Sequence, residues 1–91
     1  MDTSKPLRPA KHLVWRVVEG EAIILDANDE RKVYELDESG TFLWEIITNR
    51  PTNVDGLIDA FLLEYDCEKE EGQDVVVTFC RNLLTEKMLE I

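Results

Sequence analysis

The sequence has few of the residues that catalysis and metal binding require. Its 91 residues include one histidine, two cysteines and four glycines. The single His12 leaves no Ser-His-Asp arrangement, and the dispersed glycines form no phosphate-binding loop. Cys67 and Cys80 form no CxxC pair and have no histidine nearby, so no set of metal ligands is assembled. The sequence therefore predicts a chain that is not an enzyme and that needs neither cofactor nor metal.

Long apolar runs and an excess of positive charge are also missing. No stretch approaches the roughly 18 apolar residues of a membrane helix, and the N-terminus has no apolar signal segment. Ten basic residues stand against twenty acidic ones, a net charge of −10. Such a surface repels phosphate, which argues against nucleic-acid and membrane partners. We therefore expect a cytoplasmic protein whose two cysteines are free thiols.

The chain start differs in charge from the rest. Its first sixteen residues hold Lys5, Arg8, Lys11 and Arg16 but only Asp2 among the acids. Polar and proline residues predict an irregular lead-in over residues 1–11. Two interpretations of it stay open, an interaction arm and a frayed, solvated terminus. Residues 12–91 are predicted to form one domain, because the length admits no second one and 44% hydrophobic residues suffice for one core.

Residues 13–36 have the pattern of three short strands. LVWRVV at 13–18, AIILD at 22–26 and KVYEL at 32–36 are rich in β-branched and aromatic residues. Glu19-Gly20 and the cluster Asn28-Asp29-Glu30 are typical of the turns between strands. Connections this short predict an antiparallel meander with its third strand at an edge.

After residue 36 the period changes from two to about 3.6, which indicates helices. Asp37 is the predicted cap of the first helix, and Thr52, followed by Asp55, that of the second. An acidic connection leads to a third helix over about 71–87. A three-stranded sheet cannot bury its own face and must pack on these helices, so the fold class is α+β. The predicted core includes Trp44, Phe61, Phe79 and Leu83, while Trp15 stays undecided.

Several motifs follow one another in a recognisable order. The strand ends in Leu36-Asp37-Glu38-Ser39-Gly40, a Trp lies in the next helix, and a Thr precedes the second. Then come Glu64-Tyr65-Asp66 and a Phe followed four residues on by a Leu. In this order and spacing, over roughly residues 13–91, the chain resembles the PqqD family, small peptide-binding domains also called RiPP recognition elements. Its tail, Lys87-Met88-Leu89, lacks the glycine that is usual there.

The resemblance implies a winged-helix-like fold, in which a three-stranded antiparallel sheet is followed by a three-helix bundle. It also implies a non-catalytic function: capturing the leader of a ribosomally made precursor peptide and presenting it to a modifying enzyme. That enzyme would be a radical SAM enzyme or a protease–cyclase pair, in pathways that include pyrroloquinoline quinone, lasso peptides and sactipeptides. In the family, the leader docks as an extra strand on the third strand, beside the third helix.

Strand addition has a physical basis in this sequence, because an edge strand has unpaired N–H and C=O groups that an extended peptide can satisfy. The strand at 32–36 would supply the edge, and a half-apolar stripe of the third helix would supply the groove. Val33 and Val75 have a second interpretation, as ordinary half-buried residues. The predicted peptide-binding residues are Lys32, Val33, Tyr34, Glu35, Leu36, Val75, Thr78, Arg81, Asn82 and Thr85.

Two other functions stay open at this point. A winged-helix DNA-binding regulator would have a similar fold, although the second helix has no Lys or Arg and the third has only Arg81 and Lys87. An adaptor that binds an enzyme without any peptide client would use the acidic surface to attract a basic partner. The unpaired edge also leaves a homodimer or a strand swap open.

Overall fold

The structure, a computed structural model, describes residues 1–91 and confirms the α+β fold class. A three-stranded antiparallel sheet precedes three helices, and a two-stranded sheet joins the ends of the chain. No helix in it is long and apolar enough for a membrane span. The strands are β1 (Arg8–Pro9), β2 (Leu13–Val18), β3 (Glu21–Asp26), β4 (Asp29–Glu35) and β5 (Leu89–Glu90), and the helices are α1 (Glu38–Asn49), α2 (Val54–Glu64) and α3 (Lys69–Thr85).

The main sheet has the strand order β2-β3-β4, which leaves β4 at an edge as the sequence predicts. Glu19 and Gly20, both at positive φ, form the turn between β2 and β3. β4 begins at Asp29, three residues earlier than predicted, and so includes part of the expected turn cluster. Its pairing with β3 shifts register between Leu25 and Asp26, which accommodates the extra residues of β4. Leu36 lies just beyond the end of the strand.

Side-chain caps begin the first two helices. Asp37 caps α1, as predicted, by accepting a hydrogen bond from the Gly40 N–H at 2.8 Å. The predicted Thr52 cap of α2 is wrong, because Asn53 accepts the bond from the Gly56 N–H at 2.7 Å. Thr52 instead precedes the helix in an isolated bridge to Leu7. Both caps satisfy amide groups that a helix start leaves without partners.

The core lies between the inner face of the sheet and the helices. Ile24 of β3 and Trp44 of α1 are fully buried in it. The undecided Trp15 lies on the same inner face and meets Trp44 edge-to-face, with ring centroids 5.4 Å apart. Phe79, predicted as core, is half-buried and packs against the cluster from outside. Cys80 is also buried, and this burial raises the pKa of its thiol to about 12, so the thiol is chemically inert at neutral pH.

The lead-in is joined to the domain by backbone hydrogen bonds. The Leu7 N–H donates to the Thr52 carbonyl at 2.8 Å, and the Ala10 N–H donates to the Met88 carbonyl at 3.0 Å. Between these bonds β1 pairs with β5, and the Leu7 side chain is only 2% exposed. The interpretation of a frayed, solvated terminus is therefore wrong for residues 7–10, because they bury an apolar side chain and satisfy their amides within the fold.

The backbone is strained just after the end of α3, at the tail where the sequence lacks the usual glycine. Lys87 has a φ of 61°, the left-handed conformation that glycine adopts most easily. The Lys87 N–H donates to Leu84 and the Met88 N–H donates to Leu83, which is the hydrogen-bond pattern of a Schellman motif. This motif normally has a glycine at the position of Lys87, and the missing tail glycine therefore has a local energetic cost.

Replacing Leu7 tests whether the lead-in belongs to the core. Leu7→Ala removes buried methyl groups and should lower the free energy of unfolding by about 2–5 kcal/mol in a urea titration. Leu63→Ala is the matched control, because Leu63 is 90% exposed on α2 and its truncation should cost less than about 0.5 kcal/mol. Equal effects of the two substitutions would contradict the placement of Leu7.

Replacing Lys87 tests the strain. Lys87→Gly should raise the free energy of unfolding by about 1 kcal/mol, since the left-handed backbone costs glycine least. Lys69→Gly at the start of α3 should lower stability by up to about 1 kcal/mol, because there glycine only adds backbone freedom. Thermal unfolding of both variants shows whether each substitution raises or lowers the stability. A Lys87→Gly protein that is less stable than the wild type would refute the strain.

Candidate functional site

The free edge of β4 offers unpaired backbone groups at two residues. The Leu36 N–H donates to the Ala22 carbonyl at 2.9 Å and so points toward β3. Successive residues of an antiparallel strand point their N–H and C=O groups to opposite sides, so those of Tyr34 also face β3. The N–H and C=O groups of Val33 and Glu35 face away from it. No further strand covers this side of β4, so both residues can pair with an added strand.

A buried hydrogen bond fixes where this edge ends. If the ladder between β3 and β4 continued, the Ala22 N–H would donate to a backbone carbonyl of β4. Instead it donates to the Thr41 Oγ1 of α1 at 2.7 Å. The chain therefore leaves the sheet at Leu36 and enters α1 directly through the Asp37 cap. This bond holds the first turn of α1 against β3 and sets the position of the edge relative to the helices.

A groove of about 330 Å³ lies beside the start of α1. One wall is the exposed side of α3, whose main packing partners are α2 and β5. The other wall is the first turns of α1, which follow β4 in the chain. The groove is lined by the cap residue Asp37, by Ser39, Gly40 and Leu43 from α1, and by Asp74, Val75, Thr78, Phe79 and Asn82 from α3.

The Phe79 side chain of α3 reaches the start of α1 inside this groove. A Cβ atom placed on Gly40 would lie 3.3 Å from the Leu36 Cβ and 3.4 Å from the Phe79 Cε1. Both separations are at the lower limit of ordinary contact, so a side chain at this position would press on its neighbours. The early glycine of α1 thus allows Phe79 to form part of the floor.

The predicted site residues fall into four groups. Val75, Thr78 and Asn82 line the groove together, as the helical spacing suggests. Lys32, Val33, Tyr34 and Glu35 lie along β4, where Val33 and Glu35 present their backbone groups to the free edge. Leu36 is 6% exposed, so its side chain belongs to the core. Arg81 and Thr85 are exposed on α3 but do not line the groove.

Sequence reasoning missed the wall that α1 supplies. The sequence pattern predicts Asp37 only as a cap and the residues after it only as a helix, whereas Asp37, Ser39 and Leu43 line the groove. Their position directly after the edge strand was the available signal, because a helix that follows a strand at once must begin beside it. The early Gly40 was a second signal, since a glycine there lets another element approach closely.

The groove is acidic. Asp37 and Asp74 contribute carboxylates, and none of its lining residues is Lys or Arg. The structure contains a single ion pair, Arg31 with Asp29 at 3.4 Å, which lies elsewhere on β4 and in which the Arg31 side chain is exposed. No group of three or more His, Cys, Asp or Glu side chains is arranged to hold a metal ion. What the site offers is backbone hydrogen bonding along an edge and side-chain contacts in an acidic, partly apolar groove.

A small α+β domain with a free edge beside a helix-lined groove has the features of a peptide-docking module. The family model described as Coenzyme PQQ synthesis protein D (PqqD) matches residues 21–89, and the chain belongs to this family. The fold is similar to that of TbiB1, solved in complex with the TbiA(beta) leader peptide. The TM-score is 0.82 at 19% sequence identity, over 91% of this chain and 94% of that one. No curated protein matches the chain.

Thr41→Val tests the hydrogen bond that ends the edge. The substitution keeps the shape of the side chain but leaves the buried Ala22 N–H without an acceptor, which should cost about 1–3 kcal/mol of unfolding free energy. Thr41→Ser should retain most of the stability. Thr48→Val is the control, because the Thr48 hydroxyl donates only to the Trp44 and Glu45 carbonyls, which already accept within the helix. Unchanged stability and unchanged hydrogen exchange of the Ala22 amide in Thr41→Val would contradict this role.

Proposed function

We propose that this chain binds the leader segment of a ribosomally made precursor peptide by strand addition and presents it to a modifying enzyme. The observation that carries the proposal is the pair of outward-facing backbone groups at Val33 and Glu35, next to the groove between α1 and α3. Membership of the PqqD family and a fold similar to that of a protein solved with a leader peptide support it.

The edge and the groove have different tasks in this proposal. Backbone bonds to Val33 and Glu35 are independent of peptide sequence, so they supply affinity and alignment. The groove receives side chains of the peptide, so Val75, Thr78 and Asn82 supply selectivity. Arg81 and Thr85, exposed on the same helix, would contact only a peptide that extends past the groove.

The chain makes and breaks no covalent bond in this role and needs no cofactor. The reaction belongs to the partner, a radical SAM enzyme or a protease–cyclase pair, and the place of action is the cytoplasm, where the precursor is made. The functional domain is residues 12–91, with the lead-in joined to it through β1. A homodimer paired through β4 would occupy the same edge and would therefore compete with the peptide.

The DNA-binding alternative is not favoured. The net charge of −10 opposes contact with phosphates, and α2 contains no Lys or Arg. The remaining alternative is an adaptor that binds an enzyme but no peptide. A direct titration with the leader peptide distinguishes this adaptor from a peptide-binding module.

Val33→Pro tests strand addition. Proline removes the outward N–H while leaving the bonds between β4 and β3, so the fold should persist and affinity for the leader should fall by about tenfold. The measurement is a titration of ¹⁵N-labelled protein with the leader of the precursor encoded beside this chain. Amide shifts in the wild type should concentrate in residues 32–36 and 75–82.

Val17→Pro is the matched control. Val17 lies on β2, at the opposite edge of the sheet, and alternation from the Leu36 bond directs its N–H away from β3 as well. This variant loses an edge amide but should bind the leader like the wild type. No shift in residues 32–36 on addition of the leader, or equal affinity of the two proline variants and the wild type, would refute docking at β4.

A further inference from the structure

The side of the main sheet that faces away from the core is largely apolar. Val14, Leu25 and Val33 stand opposite one another across β2, β3 and β4. Their side chains are 57%, 42% and 52% exposed, respectively. The two-residue period of strands places Val18 and Ile23 on this side too. We call these five residues, Val14, Val18, Ile23, Leu25 and Val33, the outer face.

An apolar outer face is unusual for a sheet of this kind. Antiparallel sheets that cover a core on one side normally turn polar residues to solvent on the other. Here the polar residues of that side are Arg16, Glu21 and Glu35. Single exposed hydrophobic residues are common, whereas a contiguous apolar patch marks an interaction surface. The outer face therefore indicates that another molecule covers it.

An acidic cavity adjoins one end of the outer face. It has a volume of about 350 Å³, and Val18 and Ile23 form part of its wall. None of its carboxylates takes part in the single ion pair of the structure. Its apolar wall is continuous with the outer face, so one partner can contact both. The acidic residues that line it are Glu19, Glu21, Glu35 and Asp37.

The acidic cavity beside the apolar outer face indicates which charge a partner carries. A second copy of the chain would carry another −10 and would bring carboxylates toward carboxylates at the cavity. A protein with an apolar patch beside a Lys or Arg side chain would bury the outer face and place its cation in the cavity. The fitting occupant is therefore a basic-rimmed apolar surface of a different protein.

The outer face is also continuous with the proposed peptide edge. Val33 contributes its side chain to the outer face and its N–H to the edge of β4. Every second side chain of an added strand would point to the same side of the enlarged sheet. A partner on the outer face would therefore lie next to the bound peptide.

We propose that the outer face, with its acidic cavity, is the surface on which the peptide-modifying enzyme docks. This inference rests on the proposed function, because it identifies where the enzyme meets the chain that carries its substrate. The enzyme is expected to present an apolar patch and at least one basic side chain at this interface.

The double variant Val14→Thr, Leu25→Thr tests the docking surface. Threonine is β-branched, as strands favour, and it removes apolar surface at both positions. Affinity for the purified modifying enzyme encoded beside this chain should fall by about tenfold or more, as for residues at the centre of an interface. Affinity for the leader should stay within about twofold, because neither residue has a backbone group at the free edge of β4 and neither lines the groove. Leu63→Thr, on exposed α2, should leave both affinities unchanged.

A charge substitution tests the cavity. Glu21→Gln should weaken enzyme binding and reduce its dependence on salt, whereas Glu70→Gln, an exposed acid on α3, should do neither. Calorimetry at two salt concentrations measures both effects.

The outcomes separate this inference from the proposed function. Enzyme affinity that is unchanged in the double variant overturns the docking surface, whether or not the leader binds. Enzyme binding through the outer face with no leader binding refutes the peptide proposal and leaves the docking surface in place. Self-association of the wild type that the double variant abolishes assigns the outer face to a second copy and overturns the inference.

Discussion

The hydrogen bond from the Ala22 N–H to Thr41 is the interaction on which the site depends. It is buried, 2.7 Å long, and replaces a strand-to-strand bond with a strand-to-helix bond. Because the ladder between β3 and β4 stops there, the chain turns at once into α1, and the Asp37 cap follows within one residue of the strand pairing. The groove, the edge and the close approach at Gly40 all take their relative positions from this one exchange of hydrogen-bond partners.

A chain of this size can bind a partner only through surface that is not buried in its core. Its helices and the inner side of its sheet are occupied by one small core. What remains is the edge of β4, a shallow groove and the outer face. An edge strand is normally a liability, because it invites unwanted pairing. Here the same feature carries both the liability and the proposed function, and the net charge of −10 opposes pairing with another copy of the chain.

Much of the fold and part of the site could be predicted from the sequence. The three strands, the three helices, the Asp37 cap and the edge position of the third strand follow from local patterns that span several residues. β1 and β5 could not be predicted, since two-residue strands have no periodicity. Neighbouring Thr52 and Asn53 are both good caps by type, and only the path of the chain from Leu7 decides between them.

The site was harder to predict than the fold because its walls come from different elements. The spacing of Val75, Thr78 and Asn82 predicts a shared helix face, but not that α1 stands opposite. The same spacing includes Thr85, with Arg81 at the margin of the stripe, and neither residue lines the groove. In β2 nearly every residue is apolar, so the pattern LVWRVV does not reveal which side is turned to solvent. The outer face becomes visible only once the register of all three strands is known.

The pairing of β1 with β5 has a consequence for how this domain can be joined to other proteins. Arg8 stands opposite Glu90, so a segment near the start of the chain lies beside the last strand. These strands form a small sheet of their own, apart from the one that carries the β4 edge. A protein fused after β5 would be attached beside β1, on a sheet separate from the edge at which we propose that the peptide docks. Such a fusion leaves the edge of β4 free.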